Sequence, residues 1–242
     1  MASGIASERT RLARLPQLRH WIALPLVFAV LIVAAGLTMR SVPALTAADF
    51  SVDAALSRDH TPPLTVIALL VDVVFSPAAG VVMIAAICLF LLLVRRSPVN
   101  AIATGLVAAG SWVSSEVFKL VVARHRPDST ALFDPLTPEP GTDSFPSGHT
   151  ALAVALVIAL FLLARGTRWQ WPVLVLGAAV AVTVALSRIY LGVHYPTDVA
   201  ASFLTSLTGA SFISGLWNKY GLAVLARLPF LARLGPVPAP AS

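Results

Sequence analysis

Residues 64–94 read LTVIALLVDVVFSPAAGVVMIAAICLFLLLV, an almost uninterrupted apolar stretch with a single charged side chain, Asp72. A helix rises about 1.5 Å per residue, so one helix over this stretch would be roughly 46 Å long, against a bilayer core of about 30 Å. Proline in a helix removes a hydrogen bond and breaks or kinks it, and Pro77 lies inside the stretch. The stretch therefore predicts either one kinked helix or a membrane span preceded by an interfacial helix.

The composition of the whole chain agrees with a membrane protein. Of the 242 residues, 57% are hydrophobic and 12% are charged, and the mean hydropathy is +0.85. These values exclude a water-soluble globule, a disordered chain, a coiled coil and a collagen-like fibre. The net charge of +6 indicates basic loops facing anionic lipid rather than a nucleic-acid partner. The single cysteine, Cys88, excludes an intramolecular disulfide and a multi-cysteine metal site.

Apolar runs long enough to cross a bilayer recur along the chain. We predict an all-α bundle of six spans, which lie at 21–39, within 64–94, and at 99–122, 150–164, 171–190 and 198–217. The first run exceeds the core of a cleaved signal peptide, so we expect an uncleaved anchor. The predicted organisation is a basic N-terminal segment (1–20), a transmembrane domain (21–218) and a basic, proline-rich tail (219–242).

The distribution of charge along the chain predicts its orientation. If the N-terminus is cytoplasmic, most Lys and Arg residues fall in cytoplasmic segments and most acidic residues fall outside. The positive-inside rule therefore favours a multi-pass protein of the cell membrane with both termini in the cytoplasm. The four later basic residues on the outside lie near two loops at one membrane face; they are Lys119, Arg124, Arg126 and Arg188.

Three polar segments hold these outer basic residues and the histidines that accompany them. Because successive spans alternate in direction, all three segments are predicted at the same extracytoplasmic face. They are Lys119-Leu-Val-Val-Ala-Arg-His-Arg126-Pro127, then Pro146-Ser147-Gly148-His149, and last Ser187-Arg188 with His194 and Asp198.

The chemistry of these segments indicates a phosphate cradle that needs no metal. Bringing Lys119, Arg126 and Arg188 together at a low-dielectric boundary is costly unless an anion is bound there. Arginine forks match phosphate oxygens. Ser147 and Gly148 begin a helix, whose N-terminus favours negative charge. Taken singly, each residue also fits an ordinary role: a snorkelling lysine, a loop start or a helix cap.

Taken together, the three segments resemble the signature of the type 2 phosphatidic acid phosphatase superfamily, over about a third of the chain. The resemblance implies that His194 attacks phosphorus and becomes a phosphohistidine, while Asp198 orients its ring. It implies that His149 protonates the leaving oxygen and then activates water. It implies, finally, a set of phosphate-binding residues, namely Lys119, Arg126, Ser147, Gly148 and Arg188.

The predicted function is hydrolysis of a lipid phosphomonoester or terminal diphosphate, with no cofactor and no metal, in a catalytic pocket at the outer membrane face. Among the lipids that the resemblance allows, we place a polyprenyl diphosphate first and phosphatidic acid second. The haloperoxidase chemistry of soluble family members is disfavoured by the membrane composition. The alternatives are a lipid phosphotransferase that uses the same site, a transporter, and a non-catalytic lipid-binding protein.

Overall fold

The computed structural model describes residues 8–239, and these residues form helices and loops without a strand. Residues 1–7 of the predicted N-terminal segment and 240–242 of the predicted tail lie outside the described residues. The α-helices are α1 (Ala23–Ser41), α2 (Pro43–Leu56), α3 (Pro62–Val74), α4 (Pro77–Leu89), α5 (Pro98–Val122), α6 (Gly148–Ala164), α7 (Gln170–Tyr190), α8 (Pro196–Leu216) and α9 (Leu222–Ala226). Two π-helical segments extend them: Phe90–Val94 continues α4, and Trp217–Gly221 joins α8 to α9.

Proline residues set the beginnings of most of these helices. Each of α2, α3, α4, α5 and α8 has proline in its first turn. Proline is favourable there because the first helical N–H has no partner within the helix and the fixed φ is already helical. At Pro77 the preceding Ser76 caps α4, its hydroxyl accepting from Ala79 N at 3.4 Å. The apolar stretch of residues 64–94 is therefore divided into two helices, α3 and α4.

The predicted spans all appear as helices, although they differ in length. Five of the described helices are long and apolar enough to cross a membrane: α1, α4 with its π-helical extension, α5, α7, and α8 continued into α9. The fourth predicted span, α6, has 17 residues, which gives a length of about 25 Å. The shorter α3 lies before α4 and packs against α7. The prediction of an all-α membrane bundle is confirmed.

The short α6 is the central helix of the bundle. It packs against α5, α7 and α8, and residues 151–155 in its first half are all buried. A helix that is apolar all round is stable only when it is surrounded by other helices or by lipid. The outer helices show the reverse pattern, since Val30 of α1 and Val82 of α4 are each 66% exposed. Those surfaces are suited to contact with lipid.

The described part of the N-terminal segment, from residue 8 onward, is docked on the bundle. Leu12 is buried, its backbone N–H donates to Asn100 Oδ1 at 2.9 Å, and its carbonyl accepts from Trp217 Nε1 at 2.8 Å. Asn100 lies in the first turn of α5, and Trp217 directly follows α8. These contacts hold one end of α5 to one end of α8. The opposite ends of the same two helices carry the polar residues described next.

Candidate active site

A cavity of about 510 Å³ opens where α5 ends and α6 begins. One part of its wall is apolar and the other part is charged. The apolar part is formed by Phe75, Pro77, Trp112 and Val113. The charged and polar part is formed by Glu116, Lys119, Arg126, Glu139, Asp143, Gly148, His149 and His194. The three predicted segments therefore meet at one end of the bundle.

Two of the predicted phosphate-binding cations line this cavity, and both are paired with acids. Lys119, in the last turn of α5, has its Nζ 3.1 Å from Glu116 Oε1. Arg126, in the loop after α5, donates from Nε to Asp143 Oδ1 at 2.9 Å and from Nη1 to Glu139 Oε2 at 2.5 Å. The bond from Arg126 lowers the pKa of Asp143 to about 2, so this carboxyl is ionised at neutral pH.

The third cation, Arg188, lies in the last turn of α7 and is completely buried. It donates from Nη2 to Glu139 Oε1 at 3.0 Å and from Nη1 to Asp72 of α3. Glu139 thus bridges the two arginines of the cradle. Carboxylate oxygens occupy positions on both guanidinium groups that phosphate oxygens would also take.

The start of α6 holds Ser147 and Gly148, the two residues predicted to form the backbone part of the cradle. Ser147 is the completely buried N-cap residue, and its hydroxyl accepts from Thr150 N at 3.5 Å and from Thr150 Oγ1 at 3.2 Å. Gly148 follows, and a Cβ atom placed on it would lie 3.1 Å from Lys119 Nζ. A side chain at this position would crowd the lysine. Glycine therefore lets the ammonium group lie against the N-terminus of α6.

His149 reaches into the cavity from the first turn of α6. Its Nε2 lies 3.2 Å from Asp72 Oδ1, the same oxygen that pairs with Arg188. Asp72 therefore connects one cradle arginine to the histidine that the sequence analysis predicts as the acid.

His194 lies in the loop between α7 and α8 and is 1% exposed. Its Nδ1 is 2.8 Å from the carbonyl oxygen of Ser144, while Asp198 Oδ2 is 3.8 Å away. Since a carbonyl can only accept, Nδ1 carries the proton. The direct hydrogen bond to the ring therefore comes from the Ser144 carbonyl, and not from Asp198, which the resemblance implied would orient it. Nε2 is left with its lone pair, 3.4 Å from Arg126 Nη1.

The surroundings of His194 keep its ring neutral. Burial lowers the pKa of His194 well below its usual value, and the charges of Arg126, Arg188 and Lys119 lower it further. A neutral ring with a free Nε2 lone pair is the form that can act as a nucleophile.

Several side chains at the site were not assigned a role by the sequence analysis. Glu139, Asp143 and Ser144 belong to the loop between α5 and α6, and Asp72 belongs to α3. Asp72 carried one signal, since an acid inside an apolar run is costly. The loop residues carried none, because their partners are distant along the chain.

Comparison with known proteins identifies a family and several proteins whose sequences are similar to this chain. A model of the PAP2 superfamily matches residues 97–221. The undecaprenyl-diphosphatase of Sulfolobus acidocaldarius is 39% identical over 106 residues, which is 42% of this chain and 47% of that protein. Phosphatidylglycerophosphatase B of Bacillus subtilis is 37% identical over 110 residues, which is 43% of this chain and 52% of that protein. These matches span about half of the length of each relative.

Solved structures show the same fold. The transmembrane PAP2 type phosphatidylglycerolphosphate phosphatase from Bacillus subtilis superposes with a TM-score of 0.66 at 24% identity, covering 81% of this chain and 96% of that one. LpxE of Aquifex aeolicus gives a TM-score of 0.53 at 23% identity, covering 68% and 92% of the two chains.

Proposed function

The chain belongs to the PAP2 superfamily, and from this membership we propose that it is an integral membrane lipid phosphatase that works through a phosphohistidine. The observation that carries the proposal is the state of His194. Its Nδ1 is held by the Ser144 carbonyl, and its Nε2 lone pair lies beside Arg126 in the cavity. A nucleophile of this kind beside a cluster of cations fits attack on a phosphoryl group.

In the first step, His194 Nε2 attacks phosphorus and the bond from phosphorus to the leaving lipid oxygen breaks. His149 gives its proton to that oxygen, so the lipid leaves as an alcohol or as a protonated phosphate. Asp198 stabilises the positive charge that develops on the His194 ring. The product at this stage is a phosphoryl group bonded to His194 Nε2.

In the second step, water attacks the phosphorus of the phosphohistidine. His149, now neutral, takes a proton from that water as the bond between phosphorus and Nε2 breaks. Inorganic phosphate leaves, His194 is neutral again, and His149 is protonated for the next cycle. The same residue thus serves as acid and then as base.

The cradle stabilises the phosphoryl oxygens during both steps. Lys119, Arg126 and Arg188 contribute positive charge, and Gly148 contributes the backbone N–H at the start of α6. Ser147 supports this arrangement as the cap of α6. A bound phosphoryl group competes with Glu139 for donors of the two arginines, since the carboxylate takes Arg126 Nη1 and Arg188 Nη2.

The apolar side of the cavity supports a lipid as the substrate. Phe75, Pro77, Trp112 and Val113 line it, and Val113 is 57% exposed on the outer surface of α5. A hydrocarbon chain could pass from the bilayer along this wall while its phosphate enters the cradle. We rank a polyprenyl diphosphate first, because relatives named undecaprenyl-diphosphatase are among the matches, and a phosphatidate-type lipid second.

The positive-inside distribution supports an active site on the extracytoplasmic side of the membrane, with both termini in the cytoplasm. The experiment that tests the function is release of inorganic phosphate by the purified protein in detergent. The panel contains undecaprenyl diphosphate, phosphatidic acid and phosphatidylglycerol phosphate. Release from at least one of these lipids is expected, whereas a complete lack of release from all of them would refute the proposal.

A further inference from the structure

A buried arginine that the proposed reaction does not use lies directly behind Asp198. Arg124, in the loop after α5, is 2% exposed. Its Nη1 donates to Asp198 Oδ1 at 2.7 Å and to Thr197 Oγ1 at 2.8 Å, and its Nη2 donates to Asp49 Oδ2 at 2.9 Å. One guanidinium group therefore joins two buried carboxylates that come from different helices.

The second carboxylate belongs to α2, a helix that holds none of the predicted site residues. Asp49 is buried, its Oδ1 accepts from Thr197 N at 3.2 Å, and its Oδ2 accepts from the Thr197 hydroxyl. The Arg124 guanidinium also stacks on Tyr195, with its carbon 3.9 Å from the ring centre. Arg124 is therefore fixed from three sides, by α2, by the start of α8, and by the residue that follows His194.

Asp198 needs such support because its carboxylate is completely buried. Its Oδ2 accepts from Ser144 Oγ at 2.5 Å and from Tyr195 N at 3.0 Å, which leaves Oδ1 to Arg124. A buried carboxylate stays ionised only when its oxygens are hydrogen-bonded and its charge is balanced. Arg124 supplies a hydrogen bond to Oδ1 and a balancing positive charge. An arginine bound by Asp198 alone, however, would cancel the negative charge that His194 needs nearby.

From this arrangement we propose that Asp49 and Arg124 are positioning residues for catalysis. Asp49 shares the positive charge of Arg124, so Asp198 keeps a net negative charge toward His194 and a fixed orientation. Asp49 and Arg124 therefore influence the rate of the step in which the His194 ring becomes positive. They take no part in the binding of phosphate by the cradle. The inference rests on the proposed phosphatase function and adds α2 to the elements that determine its rate.

A neighbouring residue supplies a matched control. Asp53 lies one turn after Asp49 on α2, is 1% exposed, and its carboxyl oxygens have no hydrogen-bond partner among the described residues. Burial, followed by the charges of Asp49 and Asp198, raises the pKa of Asp53 to about 9, so it is neutral at pH 7. Asp53→Asn therefore replaces one neutral group by another of the same shape, whereas Asp49→Asn removes a charge.

The test is single-turnover phosphorylation with labelled lipid, in which the amplitude counts competent sites and the rate constant reports the chemistry. We expect Asp49→Asn to lower the rate constant about 10- to 100-fold, as for other residues that orient a functional group from behind. The KM and the inhibition constant of inorganic phosphate should stay within about twofold of wild type, because the cradle is unchanged. Asp53→Asn should keep the wild-type rate constant.

A second pair of variants tests whether Asp49 acts through Arg124. Arg124→Lys keeps the charge but loses the planar fork whose two nitrogens reach Asp198 and Asp49 separately, so it should slow phosphorylation about as much as Asp49→Asn. The double variant should be no slower than Arg124→Lys alone, because both changes break the same contact. If Asp49→Asn does not accumulate, Thr197→Val removes the hydroxyl between the two residues and should also lower the rate constant.

Three results would overturn the inference: a wild-type rate constant in Asp49→Asn, an equal loss in Asp53→Asn, or a loss of amplitude without a change in rate constant. A wild-type protein that forms no phosphoenzyme would instead refute the proposed function, so the two failures are distinguishable.

Discussion

Replacement of Glu139 by glutamine should make the proposed phosphatase activity more sensitive to inorganic phosphate. Glu139 bridges Arg126 at 2.5 Å and Arg188 at 3.0 Å, and it lines the cavity in which phosphate is proposed to bind. An anion that binds to Arg126 Nη1 or Arg188 Nη2 competes with this carboxylate. Glutamine has nearly the same shape but no charge, so it competes less strongly for the two guanidinium groups.

The size of the effect follows from the exposure of Glu139, whose side chain is 35% exposed. A hydrogen bond to a charged group contributes about 1.5–3 kcal/mol when buried, and an exposed ion pair contributes about 0–1 kcal/mol. An intermediate value of about 1 kcal/mol for each arginine gives about 2 kcal/mol in all. Glutamine keeps part of this interaction free energy with the two arginines. The expected gain in phosphate affinity is therefore about 1–1.5 kcal/mol, or roughly 5- to 12-fold.

The assay is competitive inhibition of lipid hydrolysis by inorganic phosphate, with Asp128→Asn as the control. Asp128 lies in the same loop, but its carboxylate bonds only to Thr130 among the described residues, so its loss should leave the inhibition constant unchanged. An unchanged constant in Glu139→Gln would show that the carboxylate does not compete with phosphate. A higher constant would show that Glu139 holds the arginines in place for binding.

Three further predictions test the metal independence, the sidedness and the acid. Activity should survive EDTA and be inhibited by vanadate, which can take the transition-state geometry beside His194; a strict need for Mg²⁺ would contradict the metal-free cradle. In a Cys88→Ala background, Thr142→Cys should react with an impermeant thiol reagent on intact cells and Arg168→Cys should not, and the reverse pattern would place the site in the cytoplasm. His149→Ala should slow phosphoenzyme formation strongly for lipids with an alkoxide leaving group and much less for p-nitrophenyl phosphate, whose leaving group needs little protonation; equal losses in single-turnover rates would assign His149 to phosphate binding alone.

The parts of the fold and site that the sequence could predict are those with local signals. The apolar runs have the length of a bilayer, and Pro77 marks the division between α3 and α4. Lys119 and Arg126 belong to one short segment, and the alternating direction of successive spans predicts that Arg188 lies at the same end. The structure brings all three cations to carboxylate partners at that end of the bundle.

The parts that the sequence could not predict depend on contacts between distant segments. In the sequence Asp72 is visible only as the single charged residue of an apolar run, and the packing of α3 against α7 shows that it meets Arg188 and His149. Nothing in the sequence around Arg124 indicates its partner Asp49, which lies 75 positions away. Helix α2 was not predicted, because its acidic and polar residues interrupt the apolar pattern that identifies a span.

The same limit applies to the tautomer of His194. The family resemblance implies that Asp198 orients the His194 ring, but Asp198 Oδ2 lies 3.8 Å from His194 Nδ1. The closer partner is a backbone carbonyl, at Ser144, and every residue has such a carbonyl. No sequence pattern identifies which one will face the ring, because that depends on how the loop before α6 folds.

The central claim is that His194 Nε2 carries the phosphoryl group between lipid and water. The most direct test is rapid quenching of the purified protein with phosphate-labelled lipid, followed by analysis of the bond formed. The wild type should hold an acid-labile, alkali-stable label on the peptide that contains His194. The variant His194→Ala should hold no label and turn over no lipid, although it binds detergent and folds normally. Turnover by His194→Ala at the wild-type rate, or a label on another residue, would contradict the claim.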